Sequence, residues 1–251
     1  MGDRAVGERA RGWWSATADL LLGAGCPGCG SPWWGACPAC RAHLHAQPPR
    51  LTAPTPAPAG FPLTATAGPY DDVHRGLLGA HKEDQAQMLT PLLGDRLAAS
   101  VAELLTVRRV PYDEPVILVP VPSATWAVRE RGFDATAALA KRAVRRLSAE
   151  RPVRTVGLLA QHRGLADQSG LDAAERTANL RGGLRLRRSR WFPGGLRVAG
   201  VRPDGPALVV VDDLVTTGAS LTEAVRCLAE AGFEVLGAAT VSATVRRLSA
   251  Y

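Results

Sequence analysis

The chain has 251 residues, 46% of them hydrophobic, and its 30 Lys and Arg against 23 Asp and Glu give a formal charge of +7. Such a length and apolar content can bury a sizeable core, fit one ordinary domain with a small appendage, and exclude a disordered or collagenous chain. The basic residues are nearly all Arg, whose planar fork suits phosphate, carboxylate and nucleic-acid partners alike, although an Arg- and Ala-rich proteome would produce the same bias.

At the N-terminus Arg4, Arg9 and Arg11 precede an apolar stretch that Asp19 interrupts, a poor pattern for a signal peptide. No stretch approaches the ~18 uncharged apolar residues of a membrane span. The expectation is a soluble, cytoplasmic chain with no membrane partner, in a reducing compartment that disfavours disulfides. Four of five cysteines fall in CPGCGSPWWGACPAC, at Cys26, Cys29, Cys37 and Cys40. Each CxxC pair turns two sulfurs toward one point, and four thiolates close a tetrahedral shell with no place for water, which predicts structural Zn²⁺. A pair of disulfides or a redox dithiol is the alternative reading. Residues 1–46 are thus expected to form an N-terminal helix and a zinc knuckle. Trp33 and Trp34 at its tip either stack on bases or pack against the knuckle. Cys227 reads as a small buried hydrophobe.

Residues 47–68 are rich in Pro and Ala without helical period, a linker or covering strand ahead of a main domain at 69–251. His74 and His81 read as surface residues, with no carboxylate partner or metal spacing in the sequence around them. Continuous apolar runs at 116–121, 153–159, 207–211 and 235–241 alternate with helical patterns, one of them at 133–147. This predicts an α/β fold on a parallel sheet buried on both faces. Residues 187–206, rich in Arg, Gly and Pro with Trp191 and Phe192, read as a hairpin insertion or as a basic-aromatic surface for single strands.

The most informative segment is PALVVVDDLVTTGASLTEAVRCL, from Pro206 to Leu228. A strand carries Asp212 and Asp213 at its carboxyl end, where open α/β sheets bind ligands. Thr216, Thr217, Gly218, Ala219 and Ser220 then open a helix, and their hydroxyls and free N–H groups make a cradle for a phosphate. Gly218 allows close backbone approach. The segment is neither a Walker loop nor a dinucleotide fingerprint.

VVVDDLVTTGAS resembles the phosphoribosyl pyrophosphate (PRPP) signature of type I phosphoribosyltransferases. That resemblance implies the corresponding fold, with Asp212 and Asp213 accepting from the ribose 2′ and 3′ hydroxyls and the loop holding the 5′-phosphate. Three further segments, with the knuckle, narrow the similarity to the competence-associated ComF family and extend it over most of the chain. VPVP at 119–122, followed by Arg129 and Arg131, matches the family's pyrophosphate and Mg²⁺ loop, but Asp134 and Ala135 stand where Asn and Gln are usual. HRGLADQSGLDAAERTANLRG resembles a mobile hood, with Arg163, Gln168, Arg176 and Asn179 matching. PYDDVHRGLLGAHKE offers Lys82 as an anion contact, with His81 and Glu83 departing from the family pattern. The resemblance implies displacement of pyrophosphate from PRPP onto a base or amine, with Asp212, Asp213 and Arg163 in catalytic positions. The alternative it implies is a non-catalytic PRPP-binding module that handles single-stranded DNA in natural transformation, beside DNA-uptake or replication-restart proteins.

Overall fold

The computed structural model describes residues 25–84, 86–123, 128–129, 132–161, 182–187, 189–192, 195–198, 201–202 and 205–244. Among them the chain runs α1 (Pro38–Ala46), β1 (Arg50–Thr52), β2 (Thr64–Thr66), α2 (Asp72–Lys82), α3 (Thr90–Val107), β3 (Val116–Pro120), α4 (Ala135–Leu147) and β4 (Val153–Thr155). It continues with β5 (Leu159–Gln161), β6 (Leu184–Leu186), β7 (Ser189–Phe192), β8 (Gly195–Val198), β9 (Ala207–Val215), α5 (Ala219–Glu230) and β10 (Val235–Ala243).

Six strands form one sheet in the order β1-β2-β10-β9-β3-β4, and every neighbouring pair is parallel except the β1–β2 edge. The central strands are continuous apolar runs because both faces are covered. Val116, Leu118, Val209 and Val211 enter one cluster, with Leu77 of α2, Leu97 and Val101 of α3 and Leu139 of α4. Ile117, Val119, Leu208 and Val210 enter the other, with Leu221 and Leu228 of α5 and Leu159 and Leu184 of the small β5–β6 pair. A mixed α/β architecture on a mostly parallel sheet is therefore what the sequence predicts and what the chain forms.

Several elements differ in extent. The run 153–159 is not one strand: β4 stops at Thr155, where the Val156 N–H reaches the Leu118 carbonyl, and Leu159 begins a second pair with β6. Apolarity continues across that break because both pieces bury side chains, so composition alone cannot show it. The strand expected at 207–211 runs on to Val215, still paired to β10 after β3 has left at Val211. The stretch 47–68 contributes β1 and β2 to the sheet itself. The longest helix, α3, is announced by no clear period because it is apolar on more than one side, burying Leu92, Leu93, Leu97, Val101, Leu104 and Leu105. Its Gly94 lets α4 lie close, since a Cβ there would fall 2.5 Å from Arg142, and Arg142 forks onto Asp95 at 2.7 and 2.8 Å. Strands β7 and β8 pair antiparallel with each other. No helix among the described residues is long and apolar enough to cross a membrane.

Candidate functional site

The site is built where β9 outruns β3. The last bond between them runs from the Val121 N–H to the Val211 carbonyl, so Asp212 and Asp213 emerge with one flank open. Side chains alternate along a strand, which puts Asp213 on the face of α2, α3 and α4 and Asp212 on the face of α5. Asp213 is buried, and Lys82 at the C-terminal end of α2 reaches its Oδ2 at 3.2 Å across 131 positions of sequence. Asp212 accepts the backbone N–H of Asp213 at 2.8 Å. Desolvation pushes the Asp212 carboxyl well above the usual range and the Asp213 carboxylate adds to this, while Lys82 opposes it.

Beyond the acids Thr216 and Thr217 are exposed, and Gly218 caps α5 at φ 79°, a left-handed conformation that favours glycine. A cap without a side chain leaves the first N–H groups of α5 for other acceptors; that of Ala219 lies 3.4 Å from Thr217 Oγ1. Ala219 is buried and Ser220 half-buried. The glycine has a second reason that the sequence did not reveal: a Cβ there would lie 2.6 Å from the Phe61 ring and 3.1 Å from Pro54. The Pro-rich segment thus leans on the phosphate-type turn and fixes it from outside.

Past β3, Arg129 is exposed, whereas Arg131 lies outside the described residues. Asp134 caps α4 by accepting from the Ala137 N–H at 3.1 Å and takes Ser123 Oγ at 3.3 Å, and Ala135 is buried. The two unusual residues of that turn therefore start a helix. Arg163, Gln168, Arg176 and Asn179 lie outside the described residues. The strands flanking that segment are anchored at the site: Gln161 donates to the Pro122 carbonyl at 3.2 Å, and Glu223 of α5 accepts the Gly182 N–H at 2.9 Å.

Two histidines require correction. His81 is 1% exposed, bonded to Thr90 Oγ1 at 2.9 Å and set edge-on to Phe133 at 5.3 Å; burial pushes it down to about 4, with Asp213 pulling the other way. His74 is fully buried with a carboxylate partner, its Nδ1 standing 2.8 Å from Asp71 Oδ1. Both lie on the inward stripe of α2, which the polar character of the residues disguises.

The four cysteines do come together. Their sulfurs lie within 4.8 Å of one another, with Cys29 and Cys37 at 3.6 Å, against about 3.8 Å between ligands of a tetrahedral zinc–thiolate shell. The Cys37 N–H points at Cys26 Sγ at 3.3 Å and the Cys40 N–H at Cys37 Sγ at 3.4 Å, bonds that stabilise thiolates. Hydrogen bonds from Ser31 hold Cys29 down at about 6, while burial raises Cys40. Donor set and spacing fit a structural metal such as Zn²⁺ with a closed shell. Trp33 and Trp34 are exposed, and Cys227 is buried as expected.

No protein-family model matches the sequence, and no curated protein matches it. Among solved structures the chain is similar to a hypoxanthine phosphoribosyltransferase from Staphylococcus aureus, with 13% identity, 66% of this chain and 68% of that one covered, and a TM-score of 0.35. It is also similar to the adenine phosphoribosyltransferase of Saccharomyces cerevisiae, solved with adenine and an imino-altritol bisphosphate, at 13% identity, 82% and 88% coverage and a TM-score of 0.32. A third is the adenine phosphoribosyltransferase of Rhodothermus marinus, at 12% identity, 82% and 96% coverage and a TM-score of 0.29. At such scores the likeness carries no functional weight, which rests on the site itself.

Proposed function

We propose that the chain binds PRPP with Mg²⁺ at the open end of β9 and is a phosphoribosyltransferase-like protein, displacing pyrophosphate onto a base or amine. One observation carries this reading: an adjacent acid pair, one carboxyl on each face of the sheet, runs directly into a left-handed Gly218 turn that opens α5 without a side-chain cap. The acids accept from the two ribose hydroxyls, and the turn, with Thr216, Thr217 and Ser220, takes the 5′-phosphate. Lys82 holds the Asp213 carboxylate in place at 3.2 Å. Negative charge beside the ribose favours the cationic centre that develops as pyrophosphate leaves. Mg²⁺ and Arg129, with Arg131 as expected from the sequence, would neutralise that leaving group; Arg163 is proposed to close over it.

Purified protein mixed with Mg²⁺ and PRPP across a panel of bases and amines should release pyrophosphate with one acceptor and lose that release in Asp213→Asn. Burial and the Asp213 carboxylate push the Asp212 carboxyl up in the free protein, and accepting from a hydroxyl favours its ionised form. Uptake should therefore release protons and tighten as pH rises, measured by calorimetry in buffers of different ionisation enthalpy. Absence of any magnesium-dependent uptake overturns the reading. A second reading, a non-catalytic PRPP-binding module that handles single-stranded DNA in natural transformation within the ComF family, is favoured by the exposed Trp33 and Trp34. It predicts PRPP uptake without pyrophosphate release, together with salt-sensitive binding of single strands.

A further inference from the structure

From the arrangement around Asp71 we propose a second metal site, separate from the four cysteines and taking an exchangeable Zn²⁺ ion, formed by His43, Asp71 and His74. His43 lies on α1 one turn beyond Cys40, Asp71 caps α2, and His74 is one turn into α2. The ligand atoms of all three lie within 4.8 Å of one another. His43 Nε2 stands 2.6 Å from Asp71 Oδ2, and His74 Nδ1 stands 2.8 Å from Asp71 Oδ1.

Two imidazoles and one carboxylate form a donor set suited to divalent first-row metals, and Zn²⁺ takes it with a fourth position left for water. A tetrahedral ion would space such ligands about 3.4 Å apart, so the observed contacts of 2.6 and 2.8 Å need to open by about 0.8 and 0.6 Å. The geometry provides the slack on one side: His74 is fully buried and fixed, whereas the His43 side chain is 39% exposed and Asp71 31% exposed. The exposed pair also provides the route by which an ion and its water would enter.

In the metal-free chain the His74 Nδ1 proton goes to Asp71 Oδ1, and Nε2 is buried without a hydrogen-bond partner. A metal on Nδ1 displaces that proton to Nε2, so ligation has to outweigh a buried, unpaired N–H there. An ion there would join α1, which carries the last knuckle cysteine, to the start of α2, on which the knuckle rests: a Cβ at Gly76 would lie 1.9 Å from the Pro27 carbonyl. The site would thus reinforce the contact between knuckle and sheet domain.

The test is a metal titration of the reduced, full-length protein by equilibrium dialysis against buffered Zn²⁺, read as zinc per chain. Wild type should saturate at about two ions, and a mild chelator should remove about one while the four thiols stay protected from alkylation. His43→Ala, on an accessible side chain, should bind about one and keep its far-ultraviolet dichroism, while His45→Ala on the exposed side of the same helix should still bind about two. Saturation of wild type at about one ion, or an unchanged two in His43→Ala, overturns the site and leaves a hydrogen-bonded latch between the helices. The outcome is independent of PRPP uptake, which involves none of these residues.

Discussion

At the scale of single residues the site rests on glycine and histidine positions whose physics is local. Gly218 is left-handed and faces Phe61, so Gly218→Ala meets about 1 kcal/mol of backbone strain and displaces an aromatic ring 2.6 Å away. We expect PRPP uptake to weaken at least about tenfold, read by calorimetry. His81 offers a pH test. Its folded value of about 4 lies below the ordinary histidine range, so the unfolded chain binds the proton first as pH falls. The stability contributed by the neutral, buried ring is complete above about 6.5 and is lost progressively down to about 4, by about 3 kcal/mol. Urea unfolding across that range should show the slope in wild type and its flattening in His81→Gln.

At the scale of elements the knuckle and α2 form one packed unit. Gly28 and Gly76 are both required by contact, the first against Cys40 and Val73 and the second against the Pro27 carbonyl. Gly76→Ala puts a methyl group into a backbone atom that has no room to move. We expect destabilisation of about 1–3 kcal/mol and faster loss of zinc to a chelator, followed by metal release and thermal melting. The same substitution at Gly79, which meets nothing within 4 Å on the same helix, should be neutral or slightly stabilising.

For the whole molecule, the four-cysteine segment and the sheet belong to one packed structure. Ala36 and Leu44 of the knuckle region are buried in the same cluster as Leu93, Leu97 and Val209. Stripping zinc should therefore lower the melting temperature of the entire chain and broaden its single transition, rather than melt a separate unit, and calorimetry of metal-free and metal-bound protein decides this.

What the sequence determined by itself is local: the four-cysteine spacing, the apolar central strands, and the acid pair running into Thr-Thr-Gly are consecutive residues whose chemistry is set by their neighbours in the chain. What the tertiary structure decided is long-range. Lys82 meets Asp213, Phe61 covers Gly218, His43 meets Asp71, and strand 207–211 gains four residues because β10 continues beside it after β3 turns away. None of these follows from periodicity, because each depends on which elements the sheet order brings together. His81 shows the reason most directly: its buried ring is met by Thr90 and Phe133, which other elements bring to it, whereas Asp71, the partner of His74, stands three residues before it in the sequence.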